Sequence, residues 1–238
     1  MRHQATGISP ALRGVANLPW AAVALAAVAL VGCNDSTSPA KPVVAALKVA
    51  VADSEAGTVG TVLTTPLSVR AVDASGNPVP GASVTFSVSR DGSVSPATAV
   101  ADDSGLATTT LTIATVAEQI VVTATDSAVT PVTIIVTAMP AAPAALAKVS
   151  GDSQTVAAGT PAPAPLVVQV TDQYGNPVPG VTVTWATSGA GVLGSASTQT
   201  DATGSAQNTF TLDPAAGAQT VTVSVTGLAS LTFTETGT

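Results

Sequence analysis

Few residues in this 238-residue sequence could do nucleophilic or acid–base chemistry. It contains one histidine, His3, and one cysteine, Cys33. Hydrolases of the Ser–His–Asp type need a histidine beside the nucleophile, and zinc sites are built mainly from His and Cys. Because both residues lie within the first 33 positions, we expect neither kind of site in the rest of the chain. The sequence predicts no catalytic activity and no cofactor.

Carboxylates are the other groups with possible chemistry. Several aspartates lie in Gly- and Ser-rich stretches, and Asp102 and Asp103 are weak calcium candidates, since calcium takes about six to eight oxygen ligands. Aspartate is also typical of turns, where it accepts hydrogen bonds from its own backbone, and we favour that interpretation. A glycosidase built from paired carboxylates would bring aromatic sugar platforms, whereas aromatic residues make up 3% of this chain.

Cys33 follows a segment with the features of an export signal. Arg2 and Arg13 precede the apolar run AAVALAAVALVG at Ala21–Gly32. As a helix this run would span about 18 Å, against about 30 Å of bilayer hydrocarbon, so it fits a signal-peptide core. The stretch Leu30-Val31-Gly32-Cys33 resembles the lipobox of bacterial lipoproteins. That resemblance implies cleavage before Cys33 and a diacylglycerol on its thiol, giving a membrane anchor. The alternative is an ordinary secretory signal with a chance cysteine.

The charge balance argues against a nucleic acid partner. The formal net charge is −7, from seven basic and 14 acidic residues. Loss of Arg2 and Arg13 with the signal would leave five basic residues, and no Lys or Arg follows Lys148. Proteins neutralise phosphates with Lys and Arg, so we expect no nucleic acid partner. A small-molecule substrate is not expected either.

The second half of the chain repeats the first at a shift of 99 positions. PLSVRAVDASGNPVPG from Pro66 and PLVVQVTDQYGNPVPG from Pro165 are identical at 10 of 16 positions. Downstream, Val84-Thr85-Phe86 matches Val183-Thr184-Trp185. This period is longer than the roughly 20–50 residues of solenoid repeats and close to the roughly 100 residues of an immunoglobulin-type sandwich.

Apolar residues alternate with polar ones inside each repeat. Leu67, Val69 and Ala71 share one face, and Gly, Pro, Asp and Ser separate such runs. This pattern predicts antiparallel strands with one buried face. The predicted fold class is therefore all-β, with two tandem immunoglobulin-like antiparallel β-sandwiches. Phe86 and Trp185 are expected in the cores, because a buried tryptophan on the equivalent strand is typical of such sandwiches. Ligand stacking on Trp185 is the alternative.

The stretch GNPVPG occurs once in each repeat. Its glycines tolerate positive φ, its prolines fix φ near about −65°, and its asparagine precedes a proline and is therefore extended. We interpret both copies as stiff reversals between strands rather than as binding motifs. The residues concerned are Gly76, Asn77, Pro78, Pro80 and Gly81 in the first copy and Gly175, Asn176, Pro177, Pro179 and Gly180 in the second.

The repeated pattern D-x-x-GNPVPG-x-x-V-T-F/W is followed by D-x-x-G-x-A and a Thr-rich strand. It resembles the bacterial Ig-like repeats of the invasin and intimin type, over roughly 45–138 and 144–238. The resemblance implies Ig-like sandwiches strung head to tail, in stalks that hold a binding tip away from the outer membrane. It implies the stalk and does not identify a ligand.

Domain boundaries follow from the repeat and from composition. We predict a lipoprotein signal peptide at 1–32, the lipidated cysteine and a polar Ser/Pro tether at 33–44, and a first Ig-like domain at 45–138. A short Pro/Ala linker at 139–143, semi-rigid because of its prolines, leads to a second Ig-like domain at 144–238.

Two side-chain predictions concern domain 2. Tyr174 replaces Ser75 of the first repeat, and we expect it to be exposed at the end of domain 2 distant from the anchor, as the candidate ligand contact. Lys148 and Glu235, on the first and last strands, are expected to form an ion pair across the sandwich.

Two functional hypotheses follow. The first is a lipid-anchored surface module for adhesion or interaction, with a protein or glycan ligand. The second is a passive structural spacer or a periplasmic envelope component without a ligand of its own. Asn34 after the cysteine favours the outer membrane and cell surface, by analogy with enterobacterial lipoprotein sorting.

Overall fold

The computed structural model describes residues 42–50 and 54–238. The predicted signal peptide, Cys33 and most of the tether lie outside these residues. Lys41–Thr238 belong to one compact unit that contains both repeats. Within the described residues, no helix has the length and hydropathy to cross a bilayer.

Domain 1 folds as two sheets packed face to face. One sheet has the strand order β1-β3-β7-β5, and the other has the order β2-β9-β8-β4-β6. The strands are β1 (Ala46–Val49), β2 (Ser54–Thr58), β3 (Leu67–Val72), β4 (Ser83–Val88), β5 (Ser93–Ser95), β6 (Thr98–Val100), β7 (Leu106–Thr112), β8 (Gln119–Thr125) and β9 (Val132–Met139).

Domain 2 repeats this topology. The sheet orders are β10-β12-β16 and β11-β19-β18-β13-β15, and β14 pairs with β17. The strands are β10 (Pro143–Ser150), β11 (Thr155–Val156), β12 (Leu166–Asp172), β13 (Thr182–Thr187), β14 (Val192–Leu193), β15 (Ser197–Gln199), β16 (Ser205–Asn208), β17 (Phe210–Thr211), β18 (Gly217–Ser224) and β19 (Leu231–Gly237).

The two tandem sandwiches confirm the predicted fold class. Most strand pairs are antiparallel, and each domain adds one parallel pair that the sequence pattern did not indicate. In domain 1 β2 runs parallel to β9, and in domain 2 β11 runs parallel to β19. In both domains the first part of the chain therefore lies in one sheet and then crosses to the edge of the other.

Each sandwich has its own core, built from alternate residues of its strands. In β12, Leu166, Val168 and Val170 are fully buried, and burying one such side chain contributes about 1.5–3 kcal/mol. The structure places Phe86 and Trp185 in the two cores, with exposed fractions of 2% and 3%. The Trp185 indole donates a hydrogen bond to Thr198 Oγ1 at 2.9 Å, which satisfies its buried N–H.

Candidate functional site at the domain junction

The first GNPVPG copy follows an aspartate that organises the turn. Asp73 Oδ1 accepts hydrogen bonds from the backbone N–H groups of Ser75 and Asn77, both at 2.9 Å. The Asn77 side-chain amide donates to Asp73 Oδ2 at 3.2 Å. Gly76 adopts φ of +83°, a left-handed conformation that glycine reaches without strain. The turn is therefore held by its own side chains.

The second copy has the same internal geometry. Asp172 Oδ1 accepts from the N–H groups of Tyr174 and Asn176 at 2.8 and 2.9 Å. Asn176 Nδ2 donates to Asp172 Oδ2 at 2.9 Å, and Gly175 has φ of +85°. The expected reversal between strands is present in both repeats.

The second copy also binds domain 1. Asn176 Oδ1 accepts a hydrogen bond from the N–H of Ala117 at 2.9 Å, and its Nδ2 donates to the carbonyl of Thr115 at 2.7 Å. Asp172 Oδ2 accepts from the N–H of Ala141, in the linker, at 2.9 Å. Two side chains of one turn thus bind a loop of domain 1 and the linker. We call this set of contacts the junction clamp.

The two copies differ in how deeply their Asp and Asn side chains are buried. Asn176 and Asp172 are 7% and 3% exposed, whereas Asn77 is exposed and Asp73 is half-buried. A buried polar group is costly unless it is hydrogen-bonded, and the junction clamp supplies these bonds. Sequence analysis could not separate the copies, because their six residues are identical and the difference lies in what each one faces.

Tyr174 lies at the junction, so its predicted position at the far end of domain 2 is wrong. A β-carbon placed on Gly60 of domain 1 would lie 2.9 Å from Tyr174 Cζ. Tyr174 keeps an exposed fraction of 43%. The ring therefore covers Gly60 and leaves one side in solvent. The reason is that β12 runs towards domain 1, which brings the turn after it to the linker end of the sandwich.

Charge at the junction is stabilised by hydrogen bonds. Burial alone would raise the pKa of Asp172, but hydrogen bonds from Asn176, Ala141 and Tyr174 outweigh it and hold the pKa below its ordinary value of 3.8. The folded state thus favours the carboxylate. The resulting stabilisation is present above about pH 3.8 and is lost as the pH falls through the lowered pKa of the folded state.

Both repeats match one known family of bacterial domains. Residues 46–137 and 147–237 each match the bacterial Ig-like domain (group 1). The chain belongs to this family. The family assignment confirms the resemblance to invasin-type and intimin-type repeats. A search of curated proteins found no match.

Two solved structures share the fold. InvD of Yersinia pseudotuberculosis has a TM-score of 0.58 and 19% identity, over 81% of this chain and 57% of InvD. FdeC, an Escherichia coli adhesin, has a TM-score of 0.50 and 23% identity, over 81% of this chain and 64% of FdeC. The chain thus spans less than two thirds of the length of either structure.

Asp102, one of the two aspartates considered for calcium, holds a turn of its own bacterial Ig-like domain. Asp102 Oδ1 accepts from the N–H and hydroxyl of Ser104 at 2.8 and 2.7 Å and from the N–H of Leu106 at 3.0 Å. Asp201 makes the equivalent bonds in domain 2. Asp103 is exposed. In the part of the chain that the structure describes, no group of three or more His, Cys, Asp or Glu side chains could hold a metal ion.

The predicted ion pair between Lys148 and Glu235 is replaced by another arrangement. Lys148 Nζ pairs with Asp152 Oδ2 at 2.6 Å and lies 5.2 Å from the Phe233 ring centroid. Glu235 is fully buried; its Oε2 accepts from the N–H of Gln154 at 2.7 Å. Its Oε1 has no hydrogen-bond partner among the described residues. Strand alternation explains the difference, since Glu235 shares the inward face of β19 with Phe233.

Proposed function

We propose that this protein is a lipid-anchored module of the bacterial cell surface, in which two bacterial Ig-like domains serve adhesion or interaction. Cys33 would carry the lipid, after cleavage of the signal peptide at Leu30-Val31-Gly32. The family and the fold shared with the adhesin FdeC support this role. The outer membrane is the proposed location, with a protein or glycan as the ligand.

The observation that carries the proposal is the pair of bacterial Ig-like domains with the fold of the adhesin FdeC, and the junction clamp fixes how the two domains are arranged. A surface module must present its outer domain in a defined direction. The clamp fixes domain 2 on domain 1 by contacts from Asp172 and Asn176 to three backbone groups. Hydrogen bonds of this kind contribute about 0.5–1.5 kcal/mol each, so the clamp restrains the orientation beyond what a five-residue linker would do.

A passive spacer is the second candidate, and the same turn favours it. Asn176 of the second GNPVPG copy contacts domain 1 instead of facing solvent, and Tyr174 covers Gly60. A spacer needs a fixed orientation and length and no ligand. The two candidates differ in whether the protein is reached from outside the cell and whether its removal abolishes attachment.

Protease shaving of intact and permeabilised cells tests the location. For a surface module, we expect an added protease to remove domain 2 from intact cells. Replacement of Cys33 by Ser should release the protein into the medium or the periplasm. Protection in intact cells, with cleavage after permeabilisation, would contradict the surface role and support a periplasmic component.

Attachment of cells to immobilised host proteins and glycans then separates adhesion from spacing. Deletion of domain 2 should abolish attachment for an adhesive module. If instead a foreign Ig-like domain of equal length restores full function, the spacer is correct and the adhesion proposal fails.

A further inference from the structure

Domain 1 carries a second docking turn that is folded in the same way as the junction clamp. The Asp73 carboxylate already orders the turn, and one Asn77 amide hydrogen is bonded to it. Within the described residues, Asn77 Oδ1 has no partner, and Asn77 is exposed. In domain 2 the corresponding oxygen, Asn176 Oδ1, accepts the N–H of Ala117. The recognition group is therefore formed in domain 1, and no residue of 42–50 or 54–238 occupies it.

Domain 2 carries the complementary loop. At the 99-residue shift, Thr115 and Ala117 of the domain 1 loop correspond to Pro214 and Ala216. The loop 214–216 is exposed. In the structure's described part, the carbonyl of Pro214 and the N–H of Ala216 make no hydrogen bond. These are the same two backbone groups, two residues apart, that Asn176 bridges at the junction.

We propose that the Asp73–Asn77 turn of one molecule binds the 214–216 loop of a second copy, head to tail. Asn77 Oδ1 accepts the N–H of Ala216, and Asn77 Nδ2 donates to the carbonyl of Pro214. The two surfaces differ, so the contact is heterologous and each bound copy leaves another turn and another loop free. Heterologous contacts that do not close into a ring produce open chains.

The contact between copies is weaker than the junction clamp for three physical reasons. Pro42 stands where the linker has Ala141, so the N–H that Asp172 accepts has no counterpart. Ser75 stands where domain 2 has Tyr174. The linker also gives the junction within one chain an effective concentration of about millimolar, which two separate chains lack. Association is therefore expected only at high protein concentration.

The loop of domain 2 also differs from that of domain 1 by a neighbouring negative charge, and removal of this charge gives a test in which binding should become stronger. Asp213, next to the acceptor loop, stands where domain 1 has Ala114. Its side chain accepts from the N–H groups of Ala215 and Ala190, both at 2.8 Å. A second carboxylate near the approaching Asp73 opposes binding. Replacement of Asp213 by Asn keeps an acceptor oxygen, removes the charge and should increase association.

Site-specific photo-crosslinking tests the contact. The photoreactive residue benzoylphenylalanine is placed at Ser75, where domain 2 already has an aromatic residue, in the full chain purified in detergent. On illumination at about 1 mM protein, we expect dimers and larger multiples that fade on dilution, with cross-links mapping to 214–216 and its neighbours. Asn77→Ala should reduce the cross-linked yield by about tenfold, through the loss of two hydrogen bonds.

Two matched variants make the outcome decisive. Gln207→Ala removes an exposed side-chain amide of β16, outside the turn and the loop, and should leave the cross-linked yield unchanged, while Ala216→Pro removes the donor and should lower it. Circular dichroism confirms that each variant is folded. Monomer alone at high concentration, or multimers that persist in Asn77→Ala, would overturn the proposal. So would cross-links that map neither to the 214–216 loop nor to the adjacent Gly159, the counterpart of the Gly60 that Tyr174 covers.

Discussion

Glu235 shows how one buried carboxylate distinguishes domain 2 from domain 1. Its counterpart at the 99-residue shift is Val136, a core residue with no charge. Burial raises the pKa of Glu235; the Gln154 N–H opposes this, the Asp152 carboxylate adds to it and Lys148 opposes it. The Gln154 N–H belongs to the segment that crosses between the sheets. The Glu235 carboxyl group therefore connects the core of domain 2 to the segment that crosses between its two sheets.

The raised pKa predicts that domain 2 becomes more stable in mild acid. The folded state binds this proton more tightly than the unfolded state, whose pKa is near 4.5. The contribution to the free energy of unfolding is therefore full below pH 4.5 and is lost as the pH rises through the raised folded pKa. Each unit of difference corresponds to about 1.4 kcal/mol. Urea unfolding between pH 4.5 and 8 measures it.

Glu235→Gln is the matched control for this pH dependence. Subtracting its unfolding free energy from that of the natural protein cancels the contributions of the other carboxylates. We expect a difference that falls with increasing pH, since only the natural protein carries the titrating group at this position. A difference independent of pH would show that Glu235 keeps an ordinary pKa, contrary to its burial.

At the scale of the element, the turns after β6 and β15 are built by aspartate. Asp102 and Asp201 each accept hydrogen bonds from residues two and four positions ahead. Their pKa values are lowered, chiefly by the side-chain hydroxyls of Ser104 and Thr203. Both aspartates accept the same kinds of hydrogen bond, so their role in the turn explains their lowered pKa values.

Replacement of Asp102 by Ala should lower the melting temperature of domain 1, because the turn loses the acceptor of three hydrogen bonds. Asp201→Ala should have the same effect on domain 2. Asp103→Ala, which removes an exposed neighbour, should change stability by less than about 0.5 kcal/mol. Calcium at millimolar concentration should leave all melting temperatures unchanged. A melting temperature raised by calcium and insensitive to it in Asp102→Ala would indicate a metal site instead.

The sequence predicts these elements unevenly, for identifiable reasons. Period-two alternation locates strands with one buried face, such as β3 and β12. It misses the parallel edge strands β2 and β11, because Ser54–Thr58 and Thr155–Val156 bury little apolar surface. The inward position of Glu235 can be predicted from the sequence, because Glu235 alternates with Leu231 and Phe233 and therefore shares their inward face. The contact of Asn176 with domain 1 cannot be predicted in this way, since an identical GNPVPG remains exposed in domain 1.

At the scale of the whole molecule, repetition and placement together give one motif two roles. Both repeats encode a turn with an ordered asparagine, but the one that follows the linker meets a neighbouring domain. The linker brings the turn of domain 2 to the loop 115–117 of domain 1, and the amide of Asn176 then replaces water on two backbone groups. A tandem arrangement thus gains a restrained junction without any change in the motif.

The junction clamp predicts that Asn176→Ala reduces the coupling between the domains. Its loss removes the hydrogen bonds to the carbonyl of Thr115 and the N–H of Ala117 at a partly buried contact, which costs about 0.5–1.5 kcal/mol per bond. Calorimetry should show the less stable domain melting lower by about 4–8 °C per kcal/mol. Asn77→Ala removes the same bond within its turn but no contact between domains, and should shift melting far less.

A glycine pair tests the same coupling from the side of domain 1. Gly60 and Gly159 occupy equivalent positions with φ of +71° and +76°, so alanine introduces similar backbone strain at both. At Gly60 the new methyl group collides with Tyr174, whereas at Gly159 the nearest atom, Pro214 Cα, is 3.6 Å away. We expect Gly60→Ala, and not Gly159→Ala, to broaden the distribution of domain orientations in residual dipolar couplings. Equal effects of the two substitutions would mean that backbone strain alone acts and that Tyr174 does not restrain the junction.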